Sequence, residues 1–588
     1  MISLKAALIC VLGFYLLAMI VFSPQNVPKT KDPKKLSHKS IKAKSPVIPI
    51  PPSTQTKKFY KFNNLDLAYN ILSQLDTSQS SHHTLFQSDN TRSSNLLTDK
   101  DYCLKHRAYF IENPEYIFEK ANFVLDPSTT SFIKKMVIPS IGKNIQPNID
   151  KAMKHSIAKG NMFALKLEAS IFYSNQAGGQ FKEINQDFSC LTQVSNYIPG
   201  ADHAFDRRDT IAKALGEYAN KYKDRSECFN KLKFSPQTFI LSDKKDCQVF
   251  FKVLNSKKYK ELNENNILVF TKKTASKETS QEKAQLVTSQ EEVVLKSKYE
   301  NGKLCGKIQE DFIMQRYIQN PLLINGHKFY FRNYMLVAST NPLIAYYHDG
   351  FVRQSLVKYN QNALDKEVHL PELSFTQHVY DFVKERANSE GMNENKIKIT
   401  RQWSFERLQE YLIEAGIVTD PKYIENHLKP QFKRAMIHLL RSSASAFMED
   451  SSLFGLFSVD FLLDEELNLW FIEADTTPQM RGFSQKMEAQ FIKMLQDQFE
   501  IVIGLLRSRT KRIINHVNKL IDNGIITDKQ GKISMQDIEW RRVVFGEITK
   551  NYFEKEFEPS FENGFEKMID ENLDGVEVYQ GLLSSQCL

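Results

Sequence analysis

The clearest alternation of apolar and polar positions lies in Phe454–Pro478, FGLFSVDFLLDEELNLWFIEADTTP. Phe457–Asp464 and Leu469–Ala474 are apolar runs of strand length, and the polar Glu465–Asn468 segment predicts the turn of a β-hairpin between them. With that turn, Asp464 pairs with Leu469, and Asp460 falls opposite Glu473. Side chains alternate along a strand, so Asp460, Glu473 and Asp475 share one face with Ser458 and Leu462. Like charges across a ladder destabilise a sheet. A bound divalent cation explains three gathered carboxylates, and hard oxygen donors at this density suit Mg²⁺. The plain alternative is the solvated edge of an ordinary hairpin.

The rest of the pattern divides the chain. Ala6–Phe22 is a run of about 17 apolar residues, near the lower limit for a membrane span. Only Lys5 precedes it and no small-x-small cleavage site follows, so residues 1–23 are expected to form an N-terminal anchor, with a cleaved signal as the rival reading. Lysines 29, 31, 34, 35, 39, 42 and 44 follow the run. By the positive-inside rule they put the main body on the cytoplasmic side of a single-pass anchor. Residues 24–100 are a Lys/Pro/Ser-rich linker. Residues 101–190 read as a mixed, mainly helical region, with helical periodicity over Tyr102–Val124 and Ser131–Ile138 and a strand within Phe163–Tyr173. Residues 191–513 alternate strands and helices. Met314–Ile318 and Phe329–Val337 read as strands, with a tight turn at Asn325–Gly326. Leu343–Tyr359 reads as a further hairpin turning at His348–Gly350. Gln431–Met448 reads as an amphipathic helix and Met487–Ile513 as a long closing one. Residues 514–588 are expected to be a helical extension. Asp570–Gly581 is similar to a calcium loop, but Gly581 stands where that loop needs Glu.

Composition changes this picture little. The 588 residues carry a net charge of +9, much of it in the N-terminal lysines, which does not argue for nucleic acid. A basic surface suits an acidic protein partner. The seven cysteines are scattered without metal spacing and read as reduced thiols. With no Asn-x-Ser/Thr site in the sequence, they favour a cytosolic main body.

Several ordered motifs carry a resemblance. Asp460, Leu462–Asp464, Glu473 and Pro478 resemble the last motif of the tubulin–tyrosine ligase-like family, with Asp475 where that family has Asn. Asn196, Pro199, Gly200, Arg207, Arg208 and Asp209 resemble an earlier one, although a turn and a helix cap also suffice there. FIMQRYIQNPLLINGHKFYFRNYMLVAST (Phe312–Thr340) is the strongest match. The resemblance covers Val194–Ile513. It implies an α+β fold of the ATP-grasp type, with antiparallel sheets flanked by helices, and ATP-dependent ligation of an amino acid (tyrosine, glutamate or glycine) to tubulin or another acidic tail through an acyl phosphate. It implies ATP and Mg²⁺ as cofactors and a cytoskeletal or ciliary setting.

The same resemblance assigns roles. Lys273, with Lys272 as its rival, meets the nucleotide. Gln315 and Tyr317 line the adenine pocket, and Lys328 contacts the nucleotide. Arg332 holds a carboxylate, Arg353 a carboxylate or phosphate, and Asp460, Glu473 and Asp475 hold Mg²⁺. The sequence also departs from the family. The loop after Lys273 contains no glycine and offers Ser276, Thr279 and Ser280 instead. Tyr330 stands where the family has Asp, and His369-Leu370-Pro371-Glu372 replaces His-Leu-Thr-Asn. These departures favour an alternative, a catalytically weakened pseudo-ligase serving as a membrane-anchored tubulin-binding or scaffold module.

Overall fold

A computed structural model describes residues 123–125, 137, 170–173, 193–221, 234–264, 268–275, 284–340, 342–363, 366–369, 402–448, 452–478, 480, 485–522 and 557–571. The apolar run 6–22, the hydroxyls of residues 276–280, the pair 371–372 and the calcium-like loop beyond Glu571 lie outside them. Among the described residues, no helix is long and apolar enough to cross a membrane.

β1 (Phe123–Leu125), β2 (Ile171–Tyr173) and β3 (Val194–Ser195) form a small parallel sheet. β2 covers the last three residues of the strand expected at Phe163–Tyr173, and residues 163–169 lie outside the described residues. Phe123 and Val124 were expected to end a helix, but a short apolar run reads alike in either state, and pairing with β2 decides it.

After α1 (Arg208–Lys221) comes an antiparallel four-stranded sheet in the order β4-β7-β5-β6. Its strands are β4 (Thr238–Ile240), β5 (Phe270–Thr274), β6 (Ala284–Leu286) and β7 (Phe312–Arg316). α2 (Lys244–Leu254) and α3 (Ser289–Lys298) pack on one face and bury Phe239, Phe250, Phe270, Leu295 and Met314. Asp243 and Thr288 start these helices by accepting hydrogen bonds from exposed first-turn N–H groups. Cys247 of α2 and Cys305, 58 residues later, are joined in a disulfide with Cα atoms 5.6 Å apart. This corrects the reading of all seven cysteines as reduced thiols and removes the thiol argument for a cytosolic body. The spacing carries no sign of the pair, because the intervening β5, β6 and α3 bring it together.

The larger sheet has seven strands. β8 (Leu323–Ile324) and β9 (His327–Thr340) form the expected tight hairpin, with Asn325 (φ 52°) and Gly326 (φ 78°) both in the left-handed region. β10 (Leu343–Lys358) runs antiparallel to β9 over both its halves. The turn expected at residues 348–350 is therefore a bulge within one long strand, because β9 continues past it. Glycine is required there: a Cβ on Gly350 would lie 1.6 Å from the Arg332 carbonyl oxygen.

A short helix, α4 (Lys366–His369), lies between β10 and β11 (Gln402–Trp403). α5 (Phe405–Glu414), capped by Ser404, and α6 (Lys429–Ser443) then cover one face of the sheet. Phe331, Val337, Phe461 and Phe471 point into that core against Phe405 and Phe432. The hairpin of β12 (Gly455–Leu463) and β13 (Leu469–Asp475) completes the main order β11-β10-β9-β12-β13. α7 (Gln485–Asp522) is longer than expected at both ends. The extension expected to be helical continues α7 as far as Asp522 and also supplies a strand, β14 (Phe565–Asp570), which pairs with β10.

Candidate active site

The face of β9 opposite the core carries Lys328, Tyr330, Arg332 and Tyr334, as strand alternation requires. β12 lies beside it, with Asp460 level with Arg332 and Ser458 level with Tyr334. Asp460 also pairs with Glu473 across the β12–β13 hairpin, as expected. Nearer the turn the register differs by one. Leu463, not Asp464, meets Leu469, and a bulge between Asp460 and Phe461 absorbs the difference. Asp464 is freed to hold the turn, accepting from the backbone N–H groups of Glu466 and Asn468 and from the Trp470 indole.

Each carboxylate expected at the metal has a protein partner. Arg332 grips Asp460 through two parallel bonds, Nε–Oδ1 at 2.9 Å and Nη2–Oδ2 at 2.7 Å. Burial opposes the Arg332 charge, but the Asp460 carboxylate overrides it and raises its pKa well above that of an ordinary arginine. Glu473 accepts from Arg208 Nη2 at 2.8 Å. Asp475 accepts from the Thr477 backbone N–H at 3.0 Å. Among the described residues, no three metal-ligating side chains gather into one cluster.

Arg208 was the residue sequence reasoning undervalued, since a helix start was sufficient reason for it. It also donates to the Thr274 carbonyl at 2.9 Å, so one guanidinium ties β5 of the smaller sheet to β13 of the larger. Phe205, Arg208, Thr238, Gln315 and Glu473 line one recess between the sheets. Gln315 lies opposite Thr271 and donates to the Thr238 hydroxyl at 3.3 Å. Lys273 alternates onto the face of β5 that carries Thr271 and is buried. Lys272 points to the helix-covered face, where Nζ meets Glu291 of α3 at 3.0 Å.

Lys328 is buried and donates to the His369 carbonyl at 2.7 Å and the Tyr317 hydroxyl at 3.3 Å. Arg353 stands level with Tyr330 and donates to its hydroxyl at 3.0 Å. Burial raises the Tyr330 pKa while Arg353 and Arg332 pull it back, so the hydroxyl stays neutral and cannot serve as the carboxylate it replaces.

The donor set fits a polyphosphate. Arg332 and Arg208 bind two of the three carboxylates, and Lys328 on β9, Arg353 on β10 and Lys273 on β5 add further cations. Ser458 lies level with Tyr334 across the ladder, and both hydroxyls are buried with no hydrogen-bond partner among the described residues. Buried polar atoms normally find one. Mg²⁺ fits if Glu473 and Asp475 supply oxygens; Asp460 could join only by loosening the Arg332 fork.

Residues 192–510, more than half the chain, match the model of the Tubulin-tyrosine ligase family. The "Probable tubulin polyglutamylase TTLL9" of Bos taurus is 30% identical over 208 residues, covering 35% of this chain and 41% of that one. The "Tubulin monoglycylase TTLL3" of Mus musculus is 32% identical over 170 residues (29% and 17%). The "Inactive polyglycylase TTLL10" of Homo sapiens is 25% identical over 329 residues (53% and 45%). The chain spans less than half the length of each of these relatives. With the extent of the family match and the ordered motifs on both sheets, the chain belongs to the tubulin–tyrosine ligase family.

Proposed function

We propose that this protein is an ATP-dependent ligase that joins an amino acid, glutamate or glycine, to tubulin or another acidic protein tail. The observation that carries this reading is the pairing of Asp460 with Glu473 across one hairpin, each bound by an arginine, on a sheet face that also carries Lys328 and Arg353. Such a cluster of charge is costly to bury without a ligand to meet it. ATP would supply the phosphoryl group that activates an acceptor carboxylate, and Mg²⁺ would neutralise phosphate charge. The chain's own residues do the positioning. Lys273 and Lys328 bind phosphate oxygens from the two sheets. Glu473 and Asp475 hold the metal. Arg353 presents a fork that suits a carboxylate bidentately, while Arg332 spends its own on Asp460.

The first test is calorimetry of Mg·ATP binding to the full chain beside Glu473→Ala. Binding that the variant loses supports the reading and leads to incorporation assays with labelled glutamate and glycine on tubulin. No binding at millimolar Mg·ATP sinks it. A second reading, a family fold that binds acidic tails without catalysis, is favoured by Tyr330. A neutral hydroxyl bonded to Arg353 stands there in place of the family's metal-binding carboxylate. Tail binding undiminished in the Glu473→Ala variant, without incorporation, would select it.

A further inference from the structure

Lys328 is 4% exposed, and a buried ammonium needs fixed oxygen partners. Among its partners are the His369 carbonyl and the Tyr317 hydroxyl, and the Tyr317 ring face lies 4.6 Å from Nζ. Both belong to one small network. His369 Nε2 lies 2.6 Å from the Ala363 carbonyl oxygen, which can only accept, so the ring proton is on Nε2. His369 Nδ1 lies 2.8 Å from the Tyr317 hydroxyl. The ring is fully buried, and the Lys328 cation bonds the same hydroxyl, so a second positive charge there is disfavoured. Nδ1 is therefore the acceptor, and the Tyr317 O–H points at it. That direction turns the hydroxyl's lone pairs toward Lys328. Without the Nδ1 acceptor the hydroxyl could turn its proton toward the Tyr359 hydroxyl, also in its hydrogen-bond reach, or toward the ammonium, and the Lys328 contact would no longer be fixed.

We infer that His369 is a positioning residue: through the Tyr317 hydroxyl and through its own carbonyl it fixes the Lys328 ammonium near the start of β9 in the larger sheet. The inference rests on the nucleotide role proposed for Lys328. It adds a residue that touches no nucleotide and acts from the segment joining β10 to β11. Three elements meet there: Tyr317 follows β7 of the smaller sheet, Lys328 lies on β9 of the larger, and His369 ends α4. The network therefore sets the lysine's position relative to both sheets.

The test compares wild type, His369→Phe, His369→Asn, Tyr317→Phe and the double variant His369→Phe/Tyr317→Phe, all as full chains. Asparagine keeps an acceptor near the Nδ1 position; phenylalanine keeps only the ring shape. The first readout is Mg·ATP affinity. His369→Phe and Tyr317→Phe are each expected to weaken binding about tenfold, the scale of one charge-assisted hydrogen bond. The double variant should lose no more than either alone, because both break one relay. His369→Asn should stay within about threefold of wild type. Wild-type affinity in His369→Phe, or losses that multiply in the double variant, overturns the inference.

The second readout needs no nucleotide. It is the rate of acetylation of Lys328 by an amine-reactive acetyl donor, followed by mass spectrometry. Faster modification in His369→Phe and Tyr317→Phe, but not in His369→Asn, supports positioning. Equal rates in all variants overturn it. Should wild type bind no Mg·ATP, the ligase reading falls, and the acetylation pattern alone decides the role of His369. Should His369→Phe fail to fold, Tyr317→Phe and His369→Asn still give opposite expectations.

Discussion

The two faces of β9 carry opposite kinds of side chain. On one, Phe329, Phe331, Met335 and Val337 pack against Phe405 and Phe432 of the covering helices. On the other lie Lys328, Tyr330, Arg332 and Tyr334, with Asp460 bound to Arg332, Arg353 bound to Tyr330 and Ser458 level with Tyr334. The same backbone serves both, so stability and chemistry are separated by strand alternation alone. The apolar face gains from area removed from water and has no directional demand. The polar face loses solvation and recovers it only through named partners. Damage to the first should lower stability without altering ligand preference; damage to the second should do both.

The largest effect is expected on the apolar face. Phe432 is fully buried, with its ring 5.1 Å from Phe331 and 5.3 Å from Phe461. Phe432→Ala should cost about 4 kcal/mol in denaturant unfolding. Mg·ATP affinity of the remaining folded protein should be unchanged; a selective loss of affinity would break the separation.

Next comes the polar face. Arg332→Met leaves the Asp460 carboxylate, only 2% exposed, without its fork. Removing one partner of a buried pair costs about 3 kcal/mol or more. Arg332→Met/Asp460→Leu should recover most of that stability while leaving no nucleotide function. If the double variant is no more stable than the single, the pair does not act as a unit.

The core side also holds a histidine that titrates. His438 of α6 lies on the core side, 3.1 Å from the Tyr218 hydroxyl, and burial with Arg434 nearby lowers its pKa to about 4. The unfolded histidine, near 6.5, therefore binds a proton more readily than the folded one. This contribution to stability is complete above pH 6.5 and is lost as pH falls toward 4. The loss should be about 2–3 kcal/mol. His438→Gln should flatten the stability profile across that window. An equally steep profile in the variant would assign the pH dependence elsewhere.

What could be read from the sequence follows the same division. The Asn325–Gly326 turn, the β12–β13 hairpin and the opposition of Asp460 to Glu473 were legible because they depend on local turn chemistry and a period of two. Residues 348–350 were not. Asp349-Gly350 has the composition of a turn, and only the length of β9 across the ladder makes it a bulge. The partners of the carboxylates were also hidden. Arg208 and Glu473 are 265 residues apart, and nothing in either's neighbours announces the other. Cys247 and Cys305 were misread for the same reason. Motif resemblance placed Arg332 and Asp460 in one site but gave them separate ligands, whereas the structure pairs them with each other.

Two adjacent lysines offer the finest comparison, and the smallest expected change. Lys272 and Lys273 were rivals in sequence because neither composition nor periodicity ranks them. Strand alternation does, by sending them to opposite faces of β5. Lys272 bonds Glu291 with both side chains a quarter exposed, and its Nζ lies 4.4 Å from the Phe312 ring centroid. A pair that exposed is worth about 1 kcal/mol at most once water and salt screen it. Lys272→Met should therefore shift unfolding by no more than that and leave Mg·ATP affinity intact. Lys273→Met, buried on the face shared with Thr271, should remove nucleotide binding. The reverse assignment, with affinity lost in Lys272→Met and kept in Lys273→Met, would mean that the nucleotide approaches the helix-covered side of this sheet. The recess between the two sheets, with Arg208, Gln315 and Glu473 on its walls, would then have to serve something else.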